Sequence, residues 1–486
     1  MKKRFLKIVA AAAAFVMVVS MCGCGNKTAT SGGDIPTLKW LVPGSSQPGL
    51  DEVLAEVNKI TAETIGAKLD IQFIDEGAYD EKMTVNMASG SDYDLCFTGY
   101  INNYAKAVRN QALYCMDDLL KTTPALVESI DDYAWEASKY NGKIYAVPNM
   151  QIHASSMCLA FRKDLVDKYN FDVLSVKKTQ DIEPFLELVA KNEPNYYPYR
   201  TNFGLKAITS MDEPPIYFHD YQNGCYAIGE VDGKVKAVEY GEYINTKEKS
   251  ALMHEWFKKG YIRPDVATVT DDTQAYVSGK YAVWVEAYKP GVEAEYKNNS
   301  GVGIEVVPIS KPIIDASSVR ATMIGIGNNC KHPELAIKMI EQLNTNKEIY
   351  NLICYGIEGV HYNKVGENRI EVIPNSNYNP NASWKFGNQF NAYLLPGQAD
   401  DVWERTKELN ASALVSPVSG LDLNLDDVRV ELTQCNNVSQ RYAFLQNGSS
   451  DPKGAYEVSV QETKEAGIDK IIETVQKQVD EFLKNK

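Results

Sequence analysis

The sequence predicts an α/β protein that contains more than one domain and ends in a helix. Strand-like and helix-like periodicities alternate along residues 38–98, as in sheets whose parallel strands are joined by helices. The chain has 486 residues, which is more than one ordinary hydrophobic core accommodates. An amphipathic stretch over residues 467–483 ends the chain and is expected to dock onto a core.

The first part of the chain has a clear order of elements. Apolar runs and alternation predict strands at 38–42, 68–74 and 94–98, and helical spacing of apolar residues predicts helices at 50–65 and 79–89. Strands connected in this way lie parallel, with helices on both faces of the sheet, and they bind ligands beyond their carboxyl ends. The loops at those ends are residues 43–48, 75–78 and 98–103.

The rest of the chain repeats both kinds of element. Its middle part is rich in Tyr and Pro, with strands predicted at 157–161, 280–286 and 303–308 and helices at 181–191 and 247–259. A strand at 321–326 and a helix at 333–343 follow, with Pro333 in the first turn of that helix. The final helix carries Ile471, Val475 and Val479 on one apolar stripe, which is typical of a helix that packs on a core.

The first 33 residues indicate export and attachment to a membrane. Basic residues precede an apolar run over 8–19, and small residues with two cysteines follow, as in a secretory signal too short to span a bilayer. Gly23 before Cys24 resembles the cleavage site of bacterial lipoproteins, so we expect a signal at 1–23, lipidation of Cys24 and a flexible tether at 24–33. The alternative is an ordinary cleaved signal that releases a soluble protein.

Composition argues against several classes of protein. The net charge of −14 repels nucleic acid and anionic head groups, so neither partner is expected and only the lipid should contact the membrane. No nucleotide, metal or hydrolase motif is complete, so no cofactor and no metal are expected. Seven cysteines follow Cys24, an odd number without a CxxC pair, and their apolar neighbours indicate buried thiols.

Aromatic residues point to the ligand class. The chain has 29 Tyr and 6 Trp against 14 Phe. Tyr and Trp each combine a flat apolar face with a polar group, and a sugar ring has a matching combination of C–H patches and hydroxyls. A cleft for a carbohydrate is therefore favoured, although most of these side chains are expected to pack in cores.

Short segments spread over nearly the whole chain form a recognisable series. Residues 141–148, Asn-Gly-Lys-Ile-Tyr-Ala-Val-Pro, are very like "DGKIYAVP", with Asn141 in place of Asp. Residues 355–362 are similar to a motif in a long-tailed branch of sugar-importing lipoproteins. Together these segments resemble the extracellular solute-binding proteins of ABC importers, and further matches occur in order at 79–83, 88–95, 161–165, 260–262 and 279–284.

The resemblance implies a two-lobed, type II periplasmic-binding-protein-like fold with three interdomain crossovers and an extended helical C-terminal region. Residues 34–149 and 312–359 are expected in lobe one, and residues 150–311 and 360–486 in lobe two. A ligand between the lobes would favour the closed form, which a permease recognises, and no covalent step is required. The family implies a monomer held by lipid on the outer face of the cytoplasmic membrane of a Gram-positive bacterium.

Candidate ligand-binding residues come from strand ends and crossovers. Trp284, Glu286 and Tyr288 end a strand with alternation that places them on one side, so they form the strongest predicted cluster, and Trp284→Ala is expected to weaken binding. Arg162 is suited to hydroxyls or a uronate carboxylate. The other candidates lie after strands, at the first crossover or in the tail: Gln47, Tyr100, Asn103, Asn149, Gln151, Glu358 and Trp384.

Three functions remain open at this point. The first is a lipid-anchored binding protein that delivers an oligosaccharide to an importer. The second is the same scaffold binding a peptide or another small solute. The third is a surface glycoside hydrolase, because the spacing of two catalytic carboxylates is spatial and leaves no motif in the sequence.

Overall fold

The computed structural model describes residues 35–90, 93–219, 224–269 and 271–486. The predicted signal at 1–23, the predicted lipidation site Cys24 and the tether at 24–33 lie outside the described residues. Residues from Pro36 onward form one compact unit. Within the described part of the chain, no helix combines the length and the apolar character needed to cross a bilayer.

A five-stranded sheet, called the first sheet, contains the strands predicted early in the sequence. The first three strands are parallel, but Thr322–Ile326 runs antiparallel to Leu95–Gly99, so the sheet is mixed. The parallel arrangement predicted for the first three strands is therefore confirmed, and the later strand Thr322–Ile326 adds an antiparallel neighbour that begins beside the carboxyl end of Leu95–Gly99, where Tyr100 N donates to Ala321 O. The strand order is Lys68–Ile74, Thr37–Pro43, Leu95–Gly99, Thr322–Ile326, Ala146–Pro148.

Helices cover the first sheet and bury its apolar side chains. Leu50–Thr64 turns Val53, Leu54 and Val57 into the core, as their spacing predicts. The next helix, Glu76–Ser89, begins three residues before its predicted start because the Asp75 side chain accepts a hydrogen bond from Gly77 N at 3.0 Å. The predicted loop 75–78 is therefore mostly the first turn of this helix. The other helices that contribute to this core include Asp132–Ser138, Pro333–Thr345 and Lys347–Tyr355.

The second sheet has four strands and a separate core. Both Ile304–Pro308 and Tyr281–Ala287 run antiparallel to Met157–Arg162, which lies between them. Phe161, Phe185 and Trp256 are fully buried in this core. The fourth strand is Tyr197–Tyr199, and the helices on this side are Lys163–Tyr169, Glu183–Asn192, Thr246–Lys258 and Val292–Ser300.

A third core joins the end of the chain to a three-stranded antiparallel sheet. The final helix, Ile468–Asn485, buries Ile471, Val475 and Val479 on the stripe that the sequence predicts. Gln476 Oε1 accepts a hydrogen bond from Ala237 N at 2.8 Å and ties the helix to the sheet. The expected docking role of this helix is therefore confirmed. The elements of this core are Ile216–His219, Tyr226–Val231, Lys234–Glu239, Arg429–Arg441 and Ile468–Asn485, and the helix Ala455–Glu465 packs against the two helices among them.

The tail after residue 360 starts on the first sheet. Tyr378 and Phe386 are buried in the first core, and the Phe386 ring lies 5.9 Å from Trp40, edge to face. Residues 362–392 therefore pack on the first sheet, which differs from the expected boundary that gave 360–486 to lobe two. The other lobe boundaries stay predictions.

Three connections between the sheets run side by side. Ser155 pairs with Ile313, and Ile313–Ile314 pairs in parallel with Leu414–Val415. Ser155 lies where the chain passes from the first sheet to the second, and Ile313–Ile314 lies where it returns to the first sheet. Leu414–Val415 lies where the tail passes on to the third core, so the pairings bring all three connections together. The arrangement matches the three crossovers that the resemblance implies.

The cysteines agree with the expectation of buried thiols. The described residues contain seven cysteines and no disulfide between them. Five are buried and the other two, Cys115 and Cys330, are half-buried. Burial raises the pKa of the Cys96 thiol to about 12, which keeps it protonated.

Candidate ligand-binding cleft

A cavity of about 510 Å³ lies between the two sheets. Its lining comes from Gln151 and Ile152 of the first crossover, from residues 289–299 beside the second sheet, and from residues 381–406 of the tail. The segment 381–386 packs on the first sheet, so residues of both sheets' sides face this space. The volume falls in the range of about 300–1,000 Å³ that is usual for ligand pockets.

Amide side chains dominate the polar part of the lining. Gln151 Nε2 donates to Thr322 Oγ1 at 2.7 Å, and Gln398 Oε1 accepts from Leu395 N at 2.8 Å. Each of these glutamines is thus held by one end of its amide, which leaves the other end for a ligand. The amides that line the cavity are Gln151, Asn298, Asn299, Asn381, Gln389 and Gln398.

The two charged side chains of the lining neutralise each other. Lys289 and Glu295 are the charged side chains among the described residues that line the cavity. Lys289 Nζ lies 2.6 Å from Glu295 Oε2, so they form an ion pair. The cavity therefore presents no uncompensated charge to a ligand.

Aromatic rings stand on the tail side of the cavity. Trp384 and Trp403 line it and are half-buried, and the buried Tyr355 lies with them. The Trp403 indole donates to Ala392 O at 3.0 Å, which fixes its ring. Tyr100 extends this wall, since its ring centroid lies 5.6 Å from that of Trp384 and the residue is 50% exposed.

Asn149 and Gln151 lie at the first crossover, as expected, next to this wall. Asn149 is fully buried, and its Nδ2 donates to Trp384 O at 3.2 Å. Its Oδ1 is without a hydrogen-bond partner among the described residues. The structure therefore brings four predicted residues together: Tyr100, Asn149, Gln151 and Trp384.

Side chains from two helices hold the crossover in place. Asn410, near the end of Val402–Ser412, accepts from His153 N at 2.9 Å and from Ala154 N at 3.0 Å, and it donates to Gln151 O at 2.8 Å. The His153 ring lies between Asn149 O and the Tyr133 hydroxyl, each at 3.0 Å. Burial lowers the pKa of His153 to about 4, so the ring is neutral at pH 7.

Trp284, expected as the strongest candidate, is a core residue. Its side chain is fully buried, and its ring lies 4.8 Å from Tyr296 and 5.7 Å from Tyr276. Trp284 and Glu286 share one face of the strand, as alternation predicts, since Tyr276 contacts both side chains. That face is covered by the helices Val292–Ser300 and Thr273–Val277, so Trp284 does not line the cavity.

Glu286 and Tyr288 stand nearer to the surface than Trp284. Glu286 Oε2 accepts from the Tyr276 hydroxyl at 2.6 Å. Tyr288 is half-buried and its backbone N donates to Ser156 O at 2.9 Å. Neither side chain lines the cavity, although Lys289 directly after them does.

Arg162 and Glu358 have other partners and do not line the cavity. The guanidinium of Arg162 makes two bonds to Asp164, at 2.9 and 2.7 Å, and donates to Gly279 O. Arg162 ends the strand that Met157 begins at the crossover, so about 16 Å of strand separates them. Glu358 is exposed and pairs with Lys364 at 3.3 Å. Both side chains are therefore absent from the wall of this cavity, in contrast to the expectation from the sequence.

Gln47 and Asn103 stabilise local structure. Gln47 Oε1 accepts from Asn379 N at 2.8 Å, which joins the loop after the first strand to the tail. Asn103 Oδ1 accepts from Lys106 N at 2.9 Å and caps the helix Tyr104–Arg109. Neither residue lines the cavity.

Sequence reasoning missed most of the cavity wall. The predicted residues come from strand ends, the first crossover and two positions in the tail, whereas the tail also contributes Gln389, Gln398 and Trp403, and the helix beyond the second sheet contributes Asn298 and Asn299. One signal was present: Asn, Gln and Trp are concentrated between residues 375 and 403. Such a density of amides and indoles in a segment with little regular structure is typical of a binding surface.

Comparison with protein families gives two matches. The family described as "Bacterial extracellular solute-binding protein" matches residues 44–348. A domain of unknown function, DUF3502, matches residues 417–484, the part that packs on the three-stranded sheet.

Individual relatives match over almost the whole chain. A "Carbohydrate ABC transporter substrate-binding protein" of Streptococcus pneumoniae serotype 4 is 31% identical over 98% of both chains. The crystal structure of the N-glycan transport solute binding protein of Streptococcus pneumoniae is 30% identical, with a TM-score of 0.81 over 93% of this chain and 99% of that one. The two-lobed fold expected from the sequence is therefore confirmed.

Complexes of that pneumococcal protein superpose less closely. With Man1GlcNAc it is 30% identical over 92% of this chain and 100% of that one, with a TM-score of 0.67. With Man5GlcNAc it is 31% identical over 93% of this chain and 99% of that one, with a TM-score of 0.65. The present arrangement is therefore nearer to the structure that is described without an oligosaccharide.

Proposed function

This chain belongs to the bacterial extracellular solute-binding proteins, and from that premise we propose that it captures a neutral oligosaccharide of mannose and N-acetylglucosamine for import by an ABC transporter. The sugar class is supported by the pneumococcal relative, which is described in complexes with Man1GlcNAc and Man5GlcNAc. That relative is 30% identical over 93% of this chain, so a similar cleft is expected.

The lining of the cavity is the observation that carries this proposal. Six amide side chains can donate to and accept from the hydroxyl and acetamido groups of a sugar. Indole rings of Trp384 and Trp403 offer flat apolar faces to the C–H patches of pyranose rings. The Lys289–Glu295 pair leaves no net charge, which favours a neutral sugar over an acidic one.

Capture is proposed to work by a change in the population of two arrangements. A ligand that touches both walls stabilises only the arrangement in which the walls lie close enough to share it. The two walls already meet at one end, where Asn298 Nδ2 donates to Pro396 O at 3.3 Å. The lower TM-scores against the oligosaccharide complexes are consistent with a further movement on binding.

A peptide is disfavoured as the ligand by the same lining. A short peptide carries a charged amino group and a charged carboxylate, which require partners of opposite charge when they are buried. The two charged lining residues are already paired with each other. Recognition of peptide termini would therefore have to break that ion pair.

A glycoside hydrolase is disfavoured because the described lining of the cavity lacks a second carboxylate. Hydrolysis uses two carboxyl groups, about 5 to 9.5 Å apart, on either side of the scissile bond. Glu295 is the carboxylate among the described residues of the lining, and Lys289 holds it in an ion pair. We therefore propose binding without catalysis, in agreement with the substrate-binding proteins that this chain resembles.

The family supports a proposal for how the protein is attached and for its partners. The family is extracellular and bacterial, and we propose that lipid on Cys24 holds the protein at the outer face of a Gram-positive cytoplasmic membrane. We further propose that it acts as a monomer and that its direct partners are the permease subunits of the transporter. Mass spectrometry of the membrane-bound protein tests the lipid, because acylation adds a defined mass to the peptide that begins at Cys24.

A panel of ligands tests the proposed function. Thermal unfolding and calorimetry of the purified protein are followed with Man1GlcNAc, Man5GlcNAc, a galacturonic acid oligomer and a tripeptide. We expect only the two neutral glycans to bind, and a ligand present at about 100 times its Kd stabilises the folded state by about 2.7 kcal/mol. Binding of only the acidic oligomer or the tripeptide would contradict the proposal. Release of reducing sugar from Man5GlcNAc over hours would show a hydrolase instead.

A further inference from the structure

The geometry points to Lys385 and Glu76 as positioning residues that hold Trp384 and Tyr100 at a fixed mutual angle for stacking on a sugar ring. This inference rests on the proposed function, because it names how part of that cleft is kept ready for its ligand. Neither Lys385 nor Glu76 lines the cavity, so both would act through the two aromatic rings.

Lys385 is a buried lysine directly beneath the aromatic wall. It ends the short helix Ser383–Lys385 and is only 2% exposed. Its Nζ donates to Pro43 O, at the end of the first strand, at 2.9 Å. The same Nζ lies 4.7 Å from the centroid of the Trp384 ring, within the distance of a cation–π contact.

Glu76 connects Lys385 to the second ring. Its Oε1 accepts hydrogen bonds from Lys385 Nζ and from the Tyr100 hydroxyl, the latter at 3.1 Å. The hydrogen bond from Lys385 lowers the pKa of Glu76, and burial with the Glu76 charge raises the pKa of Tyr100. At neutral pH the carboxylate is therefore ionised and the phenol protonated, which is the state that both hydrogen bonds require.

The two rings and the ion pair form a closed set of contacts. The Tyr100 and Trp384 rings lie 5.6 Å apart at 54°, each ring contacted by one member of the pair Glu76 and Lys385. Asn149 Nδ2 also donates a hydrogen bond to the backbone carbonyl of Trp384 at 3.2 Å. The rings are thus fixed before a ligand arrives, which lowers the entropy that binding has to remove.

This burial of a lysine is unexplained by packing alone. An ammonium group withdrawn from water needs an opposite charge and several acceptors, and an apolar side chain of the same length would fill the space at lower cost. Glu76 supplies the charge, and its side chain remains 51% exposed at the surface. The ion pair therefore reaches from the buried base of Trp384 to the half-exposed Tyr100.

Binding of Man5GlcNAc to single variants gives the first test. Lys385→Met removes the ammonium with little change in volume, and we expect affinity to fall about tenfold because the rings lose their common anchor. Tyr100→Phe keeps the ring and removes only its hydrogen bond to Glu76, for an expected loss of about threefold. Glu81→Gln, an exposed position on the same helix, is the matched control and should bind as the unmodified protein does.

A double-variant cycle separates positioning from a general loss of structure. In a protein that already carries Trp384→Ala, the addition of Lys385→Met should weaken binding of Man5GlcNAc by less than about twofold. The reason is that Lys385 acts through the Trp384 ring, which is already absent. Near-UV circular dichroism of the ligand-free protein should change in Lys385→Met and not in Glu81→Gln. Unchanged affinity in Tyr100→Phe and Lys385→Met, or a full tenfold loss in the Trp384→Ala background, would overturn the positioning role. A flat titration of the unmodified protein would instead contradict the proposed function.

Discussion

Two aromatic clusters, one on each side of the cleft, have similar composition and opposite roles. Trp284, Tyr276 and Tyr296 form what we call the closed cluster, because the Trp284 indole is fully buried and has no access to the cavity. Trp384 and Tyr100 form what we call the open cluster, because Trp384 lines the cavity and Tyr100 is half exposed. A tryptophan beside a cleft is therefore not by itself a ligand contact.

The elements that carry the two clusters explain the difference. Trp284 belongs to a central strand of the second sheet, and helices on either side of it in the sequence fold back over its face. Trp384 belongs to a short helix in the tail, where Lys385 and the neighbouring loops support it from below. Strand interiors are covered by the connections that follow them, whereas irregular segments stay at the surface and carry function.

Among the variants that test the difference between the two clusters, Trp284→Ala is expected to cause the largest change in free energy. Trp284→Ala should lower the free energy of unfolding by about 3–5 kcal/mol, because it leaves a large cavity in a packed core. The folded fraction should bind Man5GlcNAc with unchanged affinity. Urea unfolding, followed by calorimetry on the folded fraction, measures both quantities.

A different outcome for this variant would restore the expectation drawn from the sequence. If Trp284→Ala stays fully stable and loses about tenfold in affinity, the closed cluster belongs to the site and the covering helices must move on binding. Tyr276→Phe is a milder variant of the same cluster. It keeps the ring and removes only the hydrogen bond that the Tyr276 hydroxyl donates to Glu286 on the strand.

Sequence periodicity predicted the regular parts of the molecule well. The strand over 68–74 and the stripe of the final helix were predicted almost to the residue, because each depends on local alternation of apolar and polar side chains. The family resemblance supplied the two-lobed arrangement, which periodicity alone does not contain. The helix at Glu76 started earlier than predicted because a cap, Asp75, outweighed the absence of apolar residues in its first turn.

The cleft was harder to predict because its walls are set by tertiary packing. Alternation predicted that Trp284 shares a face with Glu286 but carried no information about what covers that face. The tail between residues 381 and 406 has little regular structure, so no period marked Trp403 or Gln389 as wall residues. Gln151 and Trp384, which line the cavity, and Tyr100 and Asn149, which contact Trp384, were named from the sequence because they follow strands, lie at a crossover or belong to the tail, where chain topology does constrain position.

Acid should weaken the crossover beneath the open cluster. His153 is buried and neutral, with its pKa lowered to about 4, whereas an unfolded chain binds the proton near pH 6.5. Since only the unfolded state is protonated between these values, stability falls as the pH falls through this window, by about 3 kcal/mol in total. Urea unfolding at pH 7, 6 and 5 measures the slope.

Variants of histidine isolate this contribution from the many carboxylates. The slope of the free energy of unfolding against pH gives the number of protons that the chain takes up when it unfolds. His153→Gln should lower that number by about one between pH 6.5 and 4, whatever its effect on stability at pH 7. The exposed His332→Gln is the control and should keep the full slope. An unchanged slope in His153→Gln would mean that the ring is protonated in the folded protein, and the crossover would then have to hold a charge next to Asn149.

Trp384→Ala should give the smallest change in free energy and the one most specific to binding. We expect about tenfold weaker binding of Man5GlcNAc, equivalent to about 1.4 kcal/mol, because one stacking face is lost. The free energy of unfolding should change by less than about 1 kcal/mol, since the indole is only half-buried and its removal opens onto the existing cavity. Trp384→Phe keeps a flat ring over Lys385 and should recover part of the affinity. A large loss of stability with unchanged affinity would make Trp384 a core residue like Trp284, and the distinction between the open and the closed cluster would fail.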